Sequence, residues 1–90
     1  MGMIVVHHQV KDFSSWKSAY DKHADARRAA GLTRDHVLQS VDDRNAVTVV
    51  LDFADLARAK AFAASADLKA AMKSAGVVGV PTILILKKVT

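Results

Sequence analysis

Two stretches of this chain carry nearly the same junction. Val10–Ala19 reads V-K-D-F-S-S-W-K-S-A and Val50–Ala59 reads V-L-D-F-A-D-L-A-R-A, a shift of 40 residues. Each adjoins a β-branched run, MIVVHHQV at Met3–Val10 and AVTVVLDF at Ala46–Phe53. Each leads into a helix-favouring stretch that closes on Ala-Gly, at Ala30-Gly31-Leu32 and at Ala75-Gly76-Val77. A repeated strand-to-helix unit leaves few ways to fold 90 residues, because each half must bury its helix against strands supplied by both.

The remaining punctuation fills in the plan. Asp12 or Ser14 caps the first helix and Gly31 stops it. His36–Val41 alternates, Asp42-Asp43-Arg44-Asn45 supplies turn chemistry, and the strong strand Ala46–Phe53 completes a hairpin. A second helix begins near Asp55, breaks where Ser65 precedes Asp67, and ends at Gly76. A GVVGVP linker then leads into a last strand, Thr82–Val89. The order β-α-β-β-α-β predicts one ferredoxin-like α+β domain over residues 1–90, a four-stranded antiparallel sheet with helices on one face. The third and fourth strands are apolar on both parities, as in Val47, Val49 and Leu51 against Ala46 and Val50. The helix-free face therefore needs a cover, and a second copy packed sheet to sheet supplies one.

Composition removes several function classes. The net charge of +4 is spread among interleaved signs, with no run longer than two like charges, so no nucleic-acid patch is expected. The central strands lack the stacking aromatics of an RNA-recognition sheet. The apolar runs are far too short to span a membrane, and MGMIVVHHQV lacks the pattern of a secretory leader. With no Cys, a cytoplasmic home is the default. No H-E-x-x-H, no His pair at helical spacing and no G-x-S-x-G occurs, so neither a metal nor a nucleophilic triad is expected. Haem ligation through His23 or His8 is the one cofactor reading left open, on a single residue; no cofactor is expected.

Chemistry concentrates on the first helix. On a wheel of about 100° per residue, Trp16, Tyr20, His23 and Arg27 fall within one arc of roughly 60° facing the core. Large side chains with polar tips suit either a core or the wall of a pocket. As a pocket, His23 is the candidate proton-transfer group, Tyr20 would orient a hydroxyl or carbonyl, Arg27 would favour an anionic form and Trp16 would back a planar ring. His7 and His8 point to opposite faces; the parity of Ile4, Val6 and Val10 sends His8 inward. The internal echo opposes this, since it equates Val10 with Val50 rather than with the more apolar parity of Leu51. His36 is expected at the surface.

V-x-D-F-x-x-W, D-F-x-D-L, K-A-F-A-A-S-A-D-L-K-A-A-M and A-G-V-V-G-x-P together resemble small members of the dimeric α+β barrel superfamily, near the antibiotic-biosynthesis monooxygenases. The resemblance spans nearly the whole chain. It implies a homodimer with face-to-face sheets and a cleft between sheet and helices in each subunit. Relatives include cofactor-independent quinol-forming monooxygenases, haem-degrading enzymes, polyketide cyclases and muconolactone-isomerase-like proteins. The chain departs from the enzymes at two points: Phe62 stands where many place a His, and its one Asn, Asn45, lies in the hairpin turn rather than in a cleft. Three classes follow: an enzyme acting on an aromatic or polyketide-like molecule, a non-catalytic binder of such a ligand, or a dimerisation module without one.

Overall fold

The computed structural model describes residues 2–89. Strand β1 (Gly2–Val10) is followed by helices α1 (Phe13–Lys22) and α2 (Ala24–Ala29) and by strands β2 (Leu32–Gln39) and β3 (Ala46–Phe53). Helices α3 (Leu56–Ala63) and α4 (Ala66–Ser74) then lead to β4 (Val77–Lys87). All pairings are antiparallel in the order β2-β3-β1-β4, the ferredoxin-like arrangement expected. The core lies between sheet and helices, where Ile4, Val6 and Val10 of β1 meet Val47, Val49, Leu51 and Phe53 of β3. His8 shares this inward parity and is buried. Among the described residues no helix is long and apolar enough to cross a membrane.

Caps form where the sequence places them. Asp12 Oδ2 accepts from Ser15 N at 2.9 Å, and Ser65 Oγ accepts from Leu68 N at 3.1 Å, which starts α4 afresh after α3. Gly31 and Gly76 stop their helices at φ of 103° and 86°.

Four expectations need correction. The shift-40 echo is not a structural equivalence: Asp12 caps α1, whereas Asp52 is still inside β3 and Asp55 is the cap of α3. Val10 accordingly faces inward while Val50 faces out, so strand one's own parity was the sounder guide. Strand β2 begins at Leu32, not His36, because pairing with β3 continues down to Leu32 opposite Phe53. It also ends at Gln39, leaving Val41 in the turn almost wholly exposed. The GVVGVP segment is strand rather than linker: Val77 and Val78 pair with Val10 and Gln9. The register then slips between His7 and Gln9, so Gly79, Val80 and Pro81 bow out of edge strand β4 opposite His8. Gly79 (φ 73°) and Pro81, which has no N–H to give a ladder, suit that bulge.

The fourth correction concerns the first helix, which is broken at His23. A continuous helix would direct the amides of residues 23 and 24 to the carbonyls of Ala19 and Tyr20. Here the Ala19 carbonyl accepts from His23 Nδ1 at 2.9 Å and the Tyr20 carbonyl from Arg27 Nη1 at 2.8 Å. The His23 amide turns to Tyr20 O at 3.2 Å, tightening the last turn.

Candidate functional site

Despite the break, Trp16, Tyr20, His23 and Arg27 line one cleft with His8. Val6, Val49 and Leu51 form its floor; Phe62 of α3, Leu68, Ala71 and Met72 of α4, and Ala75 capping α4 close the far side. All five residues singled out in the sequence therefore meet. The aromatic wall is continuous. Trp16 stacks on Tyr20 with centroids 5.1 Å apart, and His8 meets Trp16 edge-on at 5.5 Å. The Arg27 guanidinium lies 3.5 Å over the Tyr20 ring.

The polar atoms divide into committed and free. Tyr20 Oη donates to Asp35 Oδ2 at 2.6 Å, so its proton is not available to a ligand carbonyl; its oxygen can only accept. Burial, then the bond to Asp35, pushes the phenol well above its ordinary range, so it stays protonated. Arg27 is buried and spends Nη1 on the Tyr20 carbonyl, while Nε has no partner. A carbonyl oxygen only accepts, so the bond to Ala19 places the proton of a neutral His23 on Nδ1 and leaves Nε2 as the basic nitrogen. His8 Nδ1 is buried without a hydrogen bond of good geometry; burial pushes that imidazole below its ordinary value, against a smaller opposing pull from its own backbone. Each unpaired buried nitrogen costs about 1–3 kcal/mol until something binds it.

The cleft is open to solvent, and its free volume is about 60 Å³, well short of the several hundred Å³ that an organic ligand occupies. Asp35 was not foreseen as a site residue. It lies in the part of β2 that sequence reading placed before the strand, and its inward parity follows only from pairing with Leu51. Asn45 is structural: its Oδ1 accepts from Phe13 N at 2.9 Å and anchors the start of α1. Phe62 lines the cleft and gives that wall no proton-transfer group. His36 faces outward and is exposed. No group of three metal-ligating side chains occurs among the described residues.

No protein-family model and no curated protein matches the sequence. Solved structures do match the fold. SnoaB, a cofactor-independent oxygenase from Streptomyces nogalater, superposes with a TM-score of 0.79 at 13% identity, over 99% of this chain and 93% of that one. A structure named antibiotic biosynthesis monooxygenase gives 0.75 at 12% identity over the full length of both chains. Rv0793 from Mycobacterium tuberculosis gives 0.73 at 11% identity, covering 99% of this chain and 95% of that one. The chain thus has the ferredoxin-like α+β fold of the antibiotic-biosynthesis-monooxygenase structures.

Proposed function

We propose that this protein is a homodimer that binds one planar aromatic or polyketide-like molecule per subunit in the cleft between sheet and helices. The observation that carries the reading is the pair of unpaired buried nitrogens, His8 Nδ1 and Arg27 Nε, on residues lining one apolar cleft. A ligand hydroxyl or carbonyl satisfies the first, and negative charge on that oxygen suits the second. Trp16 and the ring of Tyr20 back the ligand's plane. His23, exposed and basic at Nε2, takes a phenol or enol proton, and the resulting electron-rich anion is the species that meets dioxygen or closes a ring without a cofactor. SnoaB, which shares the fold, is a cofactor-independent oxygenase.

The test is calorimetric titration of the full chain with 2-naphthol, with the indole N–H resonance of Trp16 reporting location. Binding that shifts this resonance and is lost in His8→Leu and His23→Ala, with stability of the latter changed by less than about 1 kcal/mol, supports the reading. Oxygen uptake or product formation then separates an enzyme from a non-catalytic binder. The small free volume favours the competing reading, a dimerisation module with a packed cleft; absence of binding to any one- to three-ring phenol establishes it.

The dimer rests on the helix-free face. Met3, Val5, Val50, Leu84 and Leu86 point outward there, and Leu84 and Leu86 remain 48% and 41% exposed. Asp52 Oδ1 on the same face is buried without a partner. Sedimentation should give twice the 9.7 kDa chain mass, and Val50→Asp should halve it while the fold survives. A well-folded wild-type monomer at micromolar concentration overturns the dimer.

A further inference from the structure

A second hollow, about 420 Å³, lies on the other side of α4, lined by Lys69, Met72, Lys73, Val77, Ile83 and the β4 bulge. Met72 belongs to both spaces, so one unbranched thioether side chain forms part of the partition between them. Met is the residue best able to vacate such a position, with three rotatable bonds and no branch. The bulge is not placed at random along β4. It sits opposite His8, whose Nδ1 is the unpaired nitrogen of the cleft. The sheet therefore loosens beside the atom that most needs a ligand. The outer hollow also differs in charge. Its floor is apolar, from Val77, Pro81 and Ile83, while exposed Val80 stands at its edge and Lys69 and Lys73 lie one helical turn apart on its rim. Among the described residues neither lysine forms a salt bridge.

We propose that the ligand site continues past Met72 into this hollow, that Met72 is its gate, and that the ligand is an elongated aromatic molecule with an anionic group seated between Lys69 and Lys73. This rests on the cleft reading above and specifies its substrate class. The hydroxyl-bearing ring takes the inner cleft against Trp16, and the carboxylate or other anion lies at the far end. The gate explains how a cleft with a free volume of about 60 Å³ admits a ring: space is gained by moving one side chain of α4, not by lifting the sheet or α1.

The experiment compares three probes by calorimetry on the full chain: 2-naphthol, 6-(4-carboxyphenyl)-2-naphthol and the methyl ester of the latter. The acid should bind roughly three- to tenfold tighter than its ester, the range two solvent-facing ion pairs supply. Lys69→Gln combined with Lys73→Gln should erase that preference and leave 2-naphthol unaffected. Met72→Ala should tighten both biaryls several-fold, and Met72→Leu, which keeps the volume, should not. Equal affinity for acid and ester, or a preference that survives loss of both lysines, overturns the anionic subsite; continued binding of 2-naphthol then leaves the cleft reading standing. Failure of all three probes on both wild type and Met72→Ala overturns the two together.

Discussion

The two helical walls of the cleft are built to different standards. The wall made by α1 and α2 buries Trp16 and Arg27, ties Tyr20 to Asp35 of β2 and locks its own break with His23 and Arg27. The α4 wall presents Leu68, Ala71, Met72 and Ala75 to the same space and has no buried residue. It is set apart by the Ser65 cap at one end and by Gly76, in a left-handed conformation, at the other. A wall that must hold polar groups in fixed relation benefits from redundant fastening. A wall that must let a ligand pass belongs to the less stable part of the molecule. On the proposed reading the difference divides labour, with proton-transfer and ring-binding groups on the α1–α2 wall and access on α4.

The largest effect should come from breaking the fastened wall. Trp16→Ala removes a buried indole that stacks on Tyr20 and meets His8 and Phe13, and should cost about 3–5 kcal/mol in urea unfolding. Leu68→Ala, in the half-buried face of α4, should cost less than about 1.5 kcal/mol. Equal costs would remove the distinction between the walls.

A smaller effect sharpens it. Tyr20→Phe keeps the ring under Arg27 and against Trp16 but loses the 2.6 Å bond to Asp35, an expected loss of about 1 kcal/mol at this partly exposed site. Asp35→Asn should cost little more on top of Tyr20→Phe, because the two share one interaction. Strictly additive losses would show that the hydroxyl does not fasten α1 to β2.

Local signals carried most of the fold and picked out five residues that line one cleft. Asp12, Ser65, Gly31 and Gly76 are legible because caps and left-handed stops depend on neighbours alone. The ends of β2 and β4 were not, since Leu32 and Val77 become strand only through partners more than twenty residues away in sequence, Phe53 and Val10. The inward arc drawn over one continuous first helix grouped Trp16, Tyr20, His23 and Arg27, and parity added His8; all five line one cleft although the helix is broken at His23. The roles were less legible. Nothing local shows that Tyr20's proton goes to Asp35, or that His23 and Arg27 take the carbonyls that would have continued their own helix. The echo misled for the same reason: D-F at 12–13 and at 52–53 is one dipeptide in two tertiary settings, a helix start and a strand end.

The smallest expected effect lies on the floor between the walls and is a slope rather than an offset. Burial lowers the His8 imidazole below its ordinary value of 6.5, so folding favours the neutral form. As pH falls through 6.5 the unfolded chain takes up the proton first, and stability is lost until the folded protein's lower value is passed. Above 6.5 both states are neutral there and the contribution is flat. His7, His23 and His36 are all exposed and are retained in a His8→Leu variant, so the difference between the two proteins reports His8 together with its repulsion from His7. Urea midpoints measured from about pH 7.5 down to about pH 5 should fall more steeply for the wild type than for His8→Leu. Parallel slopes, or a wild type that gains stability on acidification relative to the variant, would mean that a partner already holds the His8 proton. The cleft would then lose the unpaired nitrogen on which the proposed ligand reading depends.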